Sequence, residues 1–306
     1  MSRADTVPAA ATGGAAGPAG AVAVAGAARP RGAAASWLRL LRSELALVFG
    51  RWRNRLLLVA LGALPALLGI ALRLATPHGG GGPVSSFMNQ LAGNGVFLAF
   101  IALTIMLTLA MPLAIAVVSG ESVASEAGLG TLRYLLAVPA GRTRLLSVKY
   151  AAIVVYALVA SVVVTGVSLL TGVALFPVGP VTLLSGNTLP LSQGLLRLAL
   201  VTLFVAAAMA ALGAIGLAVS TLTEHPIGAI AAVLVLAMAS EVADQVPQFS
   251  AVHPYLPTHW WLSFDALLRS PIATGDLLHS LLSFGVYAVL FGSLAWARFT
   301  TADITA

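Results

Sequence analysis

Six apolar runs, each suited to cross a bilayer as a helix, constrain this chain more than any other feature. They lie at about Leu56–Leu74, Val96–Val118, Leu146–Phe176, Leu195–Leu222, Ile227–Ser240 and Leu277–Trp296. A hydrocarbon core about 30 Å thick takes roughly 20 apolar residues at about 1.5 Å each. The fifth run reaches that length only by drawing in Ser240 to Val246. Backbone amides cannot go unpaired in lipid, so such runs must be helices. The fold class that follows is an all-α integral membrane protein. Composition agrees: 59% of residues are hydrophobic and 8% charged, where soluble domains carry about a quarter charged.

What precedes the first run divides in two. Residues 1–35 are mostly Ala, Gly and Pro and read as a disordered cytoplasmic tail without a secretory signal. Residues 36–55 differ. Trp37, Leu41, Leu45, Val48 and Trp52 recur at helical spacing, with Arg39, Arg42, Ser43 and Arg53 on the other side. That pattern predicts an amphipathic helix lying at the membrane interface. Orientation follows from the basic residues. With the amino terminus inside, only Arg73, Arg197 and Arg269 of the 16 basic residues fall outside. Both termini, including an end at 300–306, are then cytoplasmic, in a multi-pass protein of the plasma membrane.

Several chemistries are excluded or weakened. The chain has no cysteine, so disulfides and thiolate sites are impossible. Its one lysine, Lys149, is followed by Tyr150, so no Walker A sequence exists and any ATP and magnesium belong to a partner. The net charge of +6 follows the membrane segments rather than forming a nucleic-acid patch. His253 and His259 are split by prolines and have no helically spaced carboxylate, so no metal site is expected and no catalytic residue is assigned. Tyr255, Trp260 and Trp261 suit an outer headgroup belt. Glu241 and Asp244 share a helix face near the end of the fifth run. With Tyr255 they form a candidate exit vestibule, or simply a solvated boundary.

One polar stretch interrupts the first spans, from Gly120 to Lys149. It opens with Glu121 and Glu126, which are expected to face water. After Gly128-Leu129-Gly130 comes a short helix capped by Thr131, with Leu132, Leu135 and Leu136 on one face. Pro139 and Gly141 end it, and Arg142, Arg144 and Lys149 follow. This order resembles the cytoplasmic coupling segment of ABC-2 type transporter permeases. The matching residues are Glu121, Glu126, Gly130, Thr131, Leu132, Arg133, Pro139 and Arg142.

The resemblance implies six transmembrane helices over 56–299, preceded by an amphipathic elbow helix, in an ABC-2 exporter-like arrangement. It places the coupling helix at 121–142. Trp37, Arg39, Arg42, Trp52 and Arg53 become the elbow's membrane-interface residues. Residues 247–276, containing a Tyr-Leu-Pro element, become an extracellular re-entrant segment. The implied function is export driven by a separate ABC ATPase subunit. The permease would pair with a second copy, identical or homologous, in contact with membrane lipid. Two other readings stay open from the residues alone: a secondary transporter coupled through Glu241 and Asp244, and a membrane anchor without transport.

Overall fold

The computed structural model describes residues 33–75, 94–128, 141–182 and 187–301. The expected tail over 1–35 and the extreme carboxy terminus therefore lie almost wholly outside the described residues. Helix α1 (Ala33–Gly50) lies beside the bundle, and α2 (Trp52–Ala75) follows after a bend at Arg51. The helix expected over 36–55 thus ends earlier, at Gly50. Trp52 and Arg53 open the next helix instead of closing this one.

The second span is broken into α3 (Phe97–Thr108) and α4 (Ala110–Gly128), bent by 52°. Pro112 explains the break, since it has no N–H for the Thr108 carbonyl and its ring crowds that group. The chain recovers at once, with the Leu113 amide bonded to the Leu109 carbonyl at 2.9 Å. Helix α4 then continues two turns past Gly120, so the first part of the polar stretch is helix and not loop.

Helix α5 (Arg142–Leu175) leads to a small antiparallel pair, β1 (Val181–Thr182) and β2 (Thr188–Leu189), in which Val181 opposes Leu189. Then come α6 (Leu191–Ser220) and α7 (Pro226–Asp244). Three short 3-10 turns follow, Pro247–Phe249, His253–Tyr255 and Ser263–Leu268, before α8 (Thr274–Thr301). Five of these helices are long and apolar enough to span a membrane, and the bent pair makes up to six.

Helix α6 is the centre, packed against α4, α5, α7 and α8. Its apolar length is 78% buried within the chain, against 11% for α8, which therefore leaves most of its side chains on the outside of the bundle. Small residues allow the close approach. A methyl group at Gly216 would overlap the Ser119 side chain, and one at Gly95 would overlap the Gly172 backbone. Hydroxyls add specific links. Ser220 Oγ accepts the amides of Val123 and Ala124 at 3.0 and 2.9 Å, and Thr202 donates to Thr165 at 3.0 Å.

The alternating course gives the bundle two polar ends. One holds α1, the end of α4, the start of α5 and the end of α8. The other holds residues 94–95, 176–182, 187–190 and 245–273.

The packing makes a direct prediction. Gly216→Ala should destabilise the protein by about 1–3 kcal/mol, the usual cost of overpacking. Gly292→Ala, where a methyl meets nothing within 4 Å, should be neutral or slightly stabilising. Thermal unfolding followed by size-exclusion chromatography in detergent separates the two; equal melting temperatures would contradict the packing.

Candidate functional site

At the end of the bundle that holds α1, four helices and the bend between α1 and α2 bring opposite charges together. Lys149 lies about two turns into α5, and its side chain is 1% exposed. Its Nζ donates to Glu44 of α1 at 2.8 Å and to Glu126 of α4 at 2.6 Å. Next to it, Glu121 of α4 is paired with Arg51 at the bend, at 3.1 Å, and with Arg53 of α2. The two glutamates are five residues apart, roughly 140° around the helix, so each faces a different neighbour. A cleft of about 20 Å³, room for about one water, lies between Glu44, Arg51, Asn54, Ser122, Glu126 and Lys149.

The scaffold fixes this cluster from several directions. Asn54 donates to the Val48 carbonyl at 2.8 Å, and the buried Tyr156 hydroxyl donates to the Asn54 carbonyl at 3.1 Å. Phe49 packs on Tyr156 with ring centres 5.7 Å apart. Further out, the Trp37 indole donates to Ser147 at 3.1 Å, and Arg144 reaches Ser36. Helix α1 is therefore held along its length on α5, while Arg39 and Arg42 stay exposed.

The expectation that Glu121 and Glu126 face water is corrected. Both are largely buried and paired within the chain, because α4 stays helical to Gly128 and carries them between α1, α2 and α5. Gly130, Thr131, Leu132, Arg133 and Pro139 lie outside the described residues. The two stems of that segment are well placed, however. One ends at Gly128, close to the Glu224 carbonyl. The other begins with Arg142, whose guanidinium donates to the Thr300 carbonyl at 2.9 Å and so caps the end of α8.

Sequence reasoning missed Glu44 and undervalued Lys149 and Arg51. A signal was present. Glu44 falls within the apolar stripe formed by Trp37, Leu41, Leu45 and Val48, and a carboxylate on a buried face needs a cation.

The opposite end is organised by Asp244. His259 Nδ1 lies 2.5 Å from its carboxylate, and His253 Nδ1 lies 3.9 Å away. His253 also bonds through Nε2 to the Val246 carbonyl at 3.1 Å. Ser240 and Thr258 join their hydroxyls at 2.7 Å, and Tyr287 donates to the Tyr255 carbonyl. Trp260 stacks on His279 at 6.0 Å. Asp244 thus fastens the turns after α7 rather than lining an open vestibule. Glu241 is half-buried beside it, and Tyr255 is 76% exposed. Trp261, expected in the headgroup belt, is buried in the core instead. Among the described residues, no group of three or more acidic or histidine side chains is placed to hold a metal ion.

The family model described as ABC-2 family transporter protein matches residues 53–240, more than half of the chain. The chain belongs to that family, and it is a multi-pass membrane protein. No curated protein matches it.

The buried network has its own test. Lys149→Met strands two buried carboxylates and should cost about 3–5 kcal/mol, the usual loss when one partner of a buried pair is removed. Adding Glu44→Gln and Glu126→Gln should restore much of that loss. Glu121→Gln should cost less, since Arg51 and Arg53 are 45% and 43% exposed and screened by water. Melting temperatures of the purified variants decide; a neutral Lys149→Met would dissolve the network as a structural element.

Proposed function

We propose that this ABC-2 family chain is the permease subunit of a transporter that exports its substrate using ATP hydrolysed by a separate subunit. The observation that carries the reading is the family match together with the position of the buried charge cluster. The family is a transporter membrane domain rather than a catalytic fold, and it generally works as a dimer with an ABC ATPase. In this reading residues 129–140 form the surface on which the ATPase docks, with Thr131, Leu132 and Arg133 at its centre. Both termini face the same compartment as the ATPase.

The mechanism follows from what the stems are tied to. A push on the docking segment enters α4 through its last two turns. Glu126 hands it to α5 and α1 through Lys149, and Glu121 hands it to the α1–α2 bend through Arg51 and Arg53. The same push enters α8 through Arg142. Four helices and the elbow then respond together. The break between α3 and α4 gives the second span a joint at which the near half can tilt without dragging the far half. At the other end, the turns between α7 and α8 close the path until that movement reaches them.

Two measurements test the reading. Leu132→Asp with Arg133→Glu should strip the co-purifying ATPase, while the melting temperature of the permease stays unchanged. Retention of wild-type amounts of ATPase would remove the docking assignment. The chain has no cysteine, so single cysteines report sidedness directly. On intact cells, an impermeant thiol reagent should label Ser250→Cys and spare Thr301→Cys; the reverse pattern would invert the orientation.

A further inference from the structure

At the end of the bundle away from α1, a cavity of about 490 Å³ opens along α2, α3 and the turn Ser263–Leu268. Leu68 and Leu72 form one wall, Phe97, Ile101 and Ile105 the second, and the turn Ser263–Leu268 the third, through Phe264. The volume falls within the range of about 300–1,000 Å³ usual for small-molecule sites. From Phe97 to Ile105 the cavity follows roughly 12 Å of helix.

Its shape is held by hydrogen bonds that do not involve the cavity itself. Asn94 donates to the Gly179 and Pro180 carbonyls at 2.6 and 3.1 Å, and its Oδ1 accepts the Val96 amide at 2.9 Å. These bonds, with the close approach of Gly95 to Gly172, tie the start of α3 to the 177–180 connector and to α5. Arg197 of α6 donates to the Leu267 and Arg269 carbonyls at 2.7 and 2.8 Å. That fixes the third wall and sets the position of Arg269.

The polar inventory is short and sorted by depth. Inside, the Thr104 hydroxyl already donates to the Phe100 carbonyl at 3.0 Å and asks nothing of a ligand. At the rim, Asp265 lines the cavity and pairs with Arg269 at 2.9 Å, both side chains about half exposed. An apolar body thus carries one anion and one cation side by side at its mouth. In a bilayer an apolar wall alone attracts nothing, because lipid tails are equally apolar. Selectivity must therefore reside in the rim. Its charges mirror an ammonium and a phosphate held a few atoms apart.

We propose that this cavity is a binding site for a zwitterionic phospholipid of the surrounding bilayer. One acyl chain lies between α2 and α3, the ammonium of an ethanolamine headgroup sits on Asp265 and its phosphate on Arg269. The site goes beyond the permease reading and needs neither ATP nor an ATPase.

The test uses the full chain in nanodiscs of mixed phosphatidylethanolamine and phosphatidylglycerol. A trace of phosphatidylethanolamine carries a diazirine in one acyl chain, and photo-adducts are mapped by mass spectrometry. Adducts should concentrate on 97–105 and 262–268 and be competed by added phosphatidylethanolamine more than by phosphatidylglycerol. Ile101→Trp, which fills the cavity, should lower them about ten-fold, a change of about 1.4 kcal/mol, while adducts on α8 persist. Leu72→Trp serves if that variant does not fold. Asp265→Asn and Arg269→Gln should each reduce the headgroup preference about two- to five-fold, as expected for an exposed charge contact. Adducts spread evenly over α2, α7 and α8, or unchanged by both tryptophans, would overturn the site. So would a disulfide between two copies at Ile105→Cys, which would give this wall to a second subunit. Neither failure would touch the ATPase-docking reading, which the labelling does not use.

Discussion

A single ammonium group, buried between two carboxylates from different helices, sets the arrangement of one whole end of this protein. Lys149 cannot be stripped of water without partners, and Glu44 and Glu126 supply them at 2.8 and 2.6 Å. Apolar contacts in a membrane do not choose a neighbour, since lipid satisfies an apolar face as well as another helix does. Buried ions do choose. The contact fixes which faces of α1, α4 and α5 meet, and the Glu121 pairs with Arg51 and Arg53 add the start of α2. With α1 held in this way, it is part of the bundle.

Elsewhere the structure relies on small side chains and shared hydroxyls. Gly216 against Ser119 and Gly95 against Gly172 let helices approach until backbone meets backbone or side chain. Ser220 then takes two amides of α4 on one oxygen. The Gly216–Ser119 contact and the Ser220 bonds fasten α4 to α6 beyond the break at Leu109. In the proposed mechanism a movement of the end of α4 reaches α6 as well, while α3 on the other side of the break is anchored separately by Asn94. A bent span between two differently anchored halves is suited to an alternating path.

Much of the architecture was legible in the chain, because bilayer thickness imposes a length on every apolar run. The family resemblance, read from the polar stretch, agrees with the family match over 53–240. The local errors share one physical origin. Hydropathy falls at Gly120, so the helix was expected to stop there; hydrogen bonding carries it to Gly128, and the carboxylates go inward with it. Trp52 and Arg53 fit the periodicity of the elbow, yet the bend at Arg51 transfers them to α2. Trp261 matched an interface residue by type and neighbours, while the turns around it fold it into the core. Partners far apart in sequence, such as Glu44 with Lys149 or Asp244 with His259, leave no local pattern except an ionisable group on an otherwise apolar face.

The central claim is that the buried charges join the elbow to the stem of the docking segment as one mechanical unit. Hydrogen exchange of the purified chain, compared between wild type and Glu44→Gln, tests this most directly. The account predicts faster exchange in both α1 and residues 121–128, with the turns at 247–268 unchanged. Faster exchange confined to α1, with 121–128 as protected as in the wild type, would contradict it.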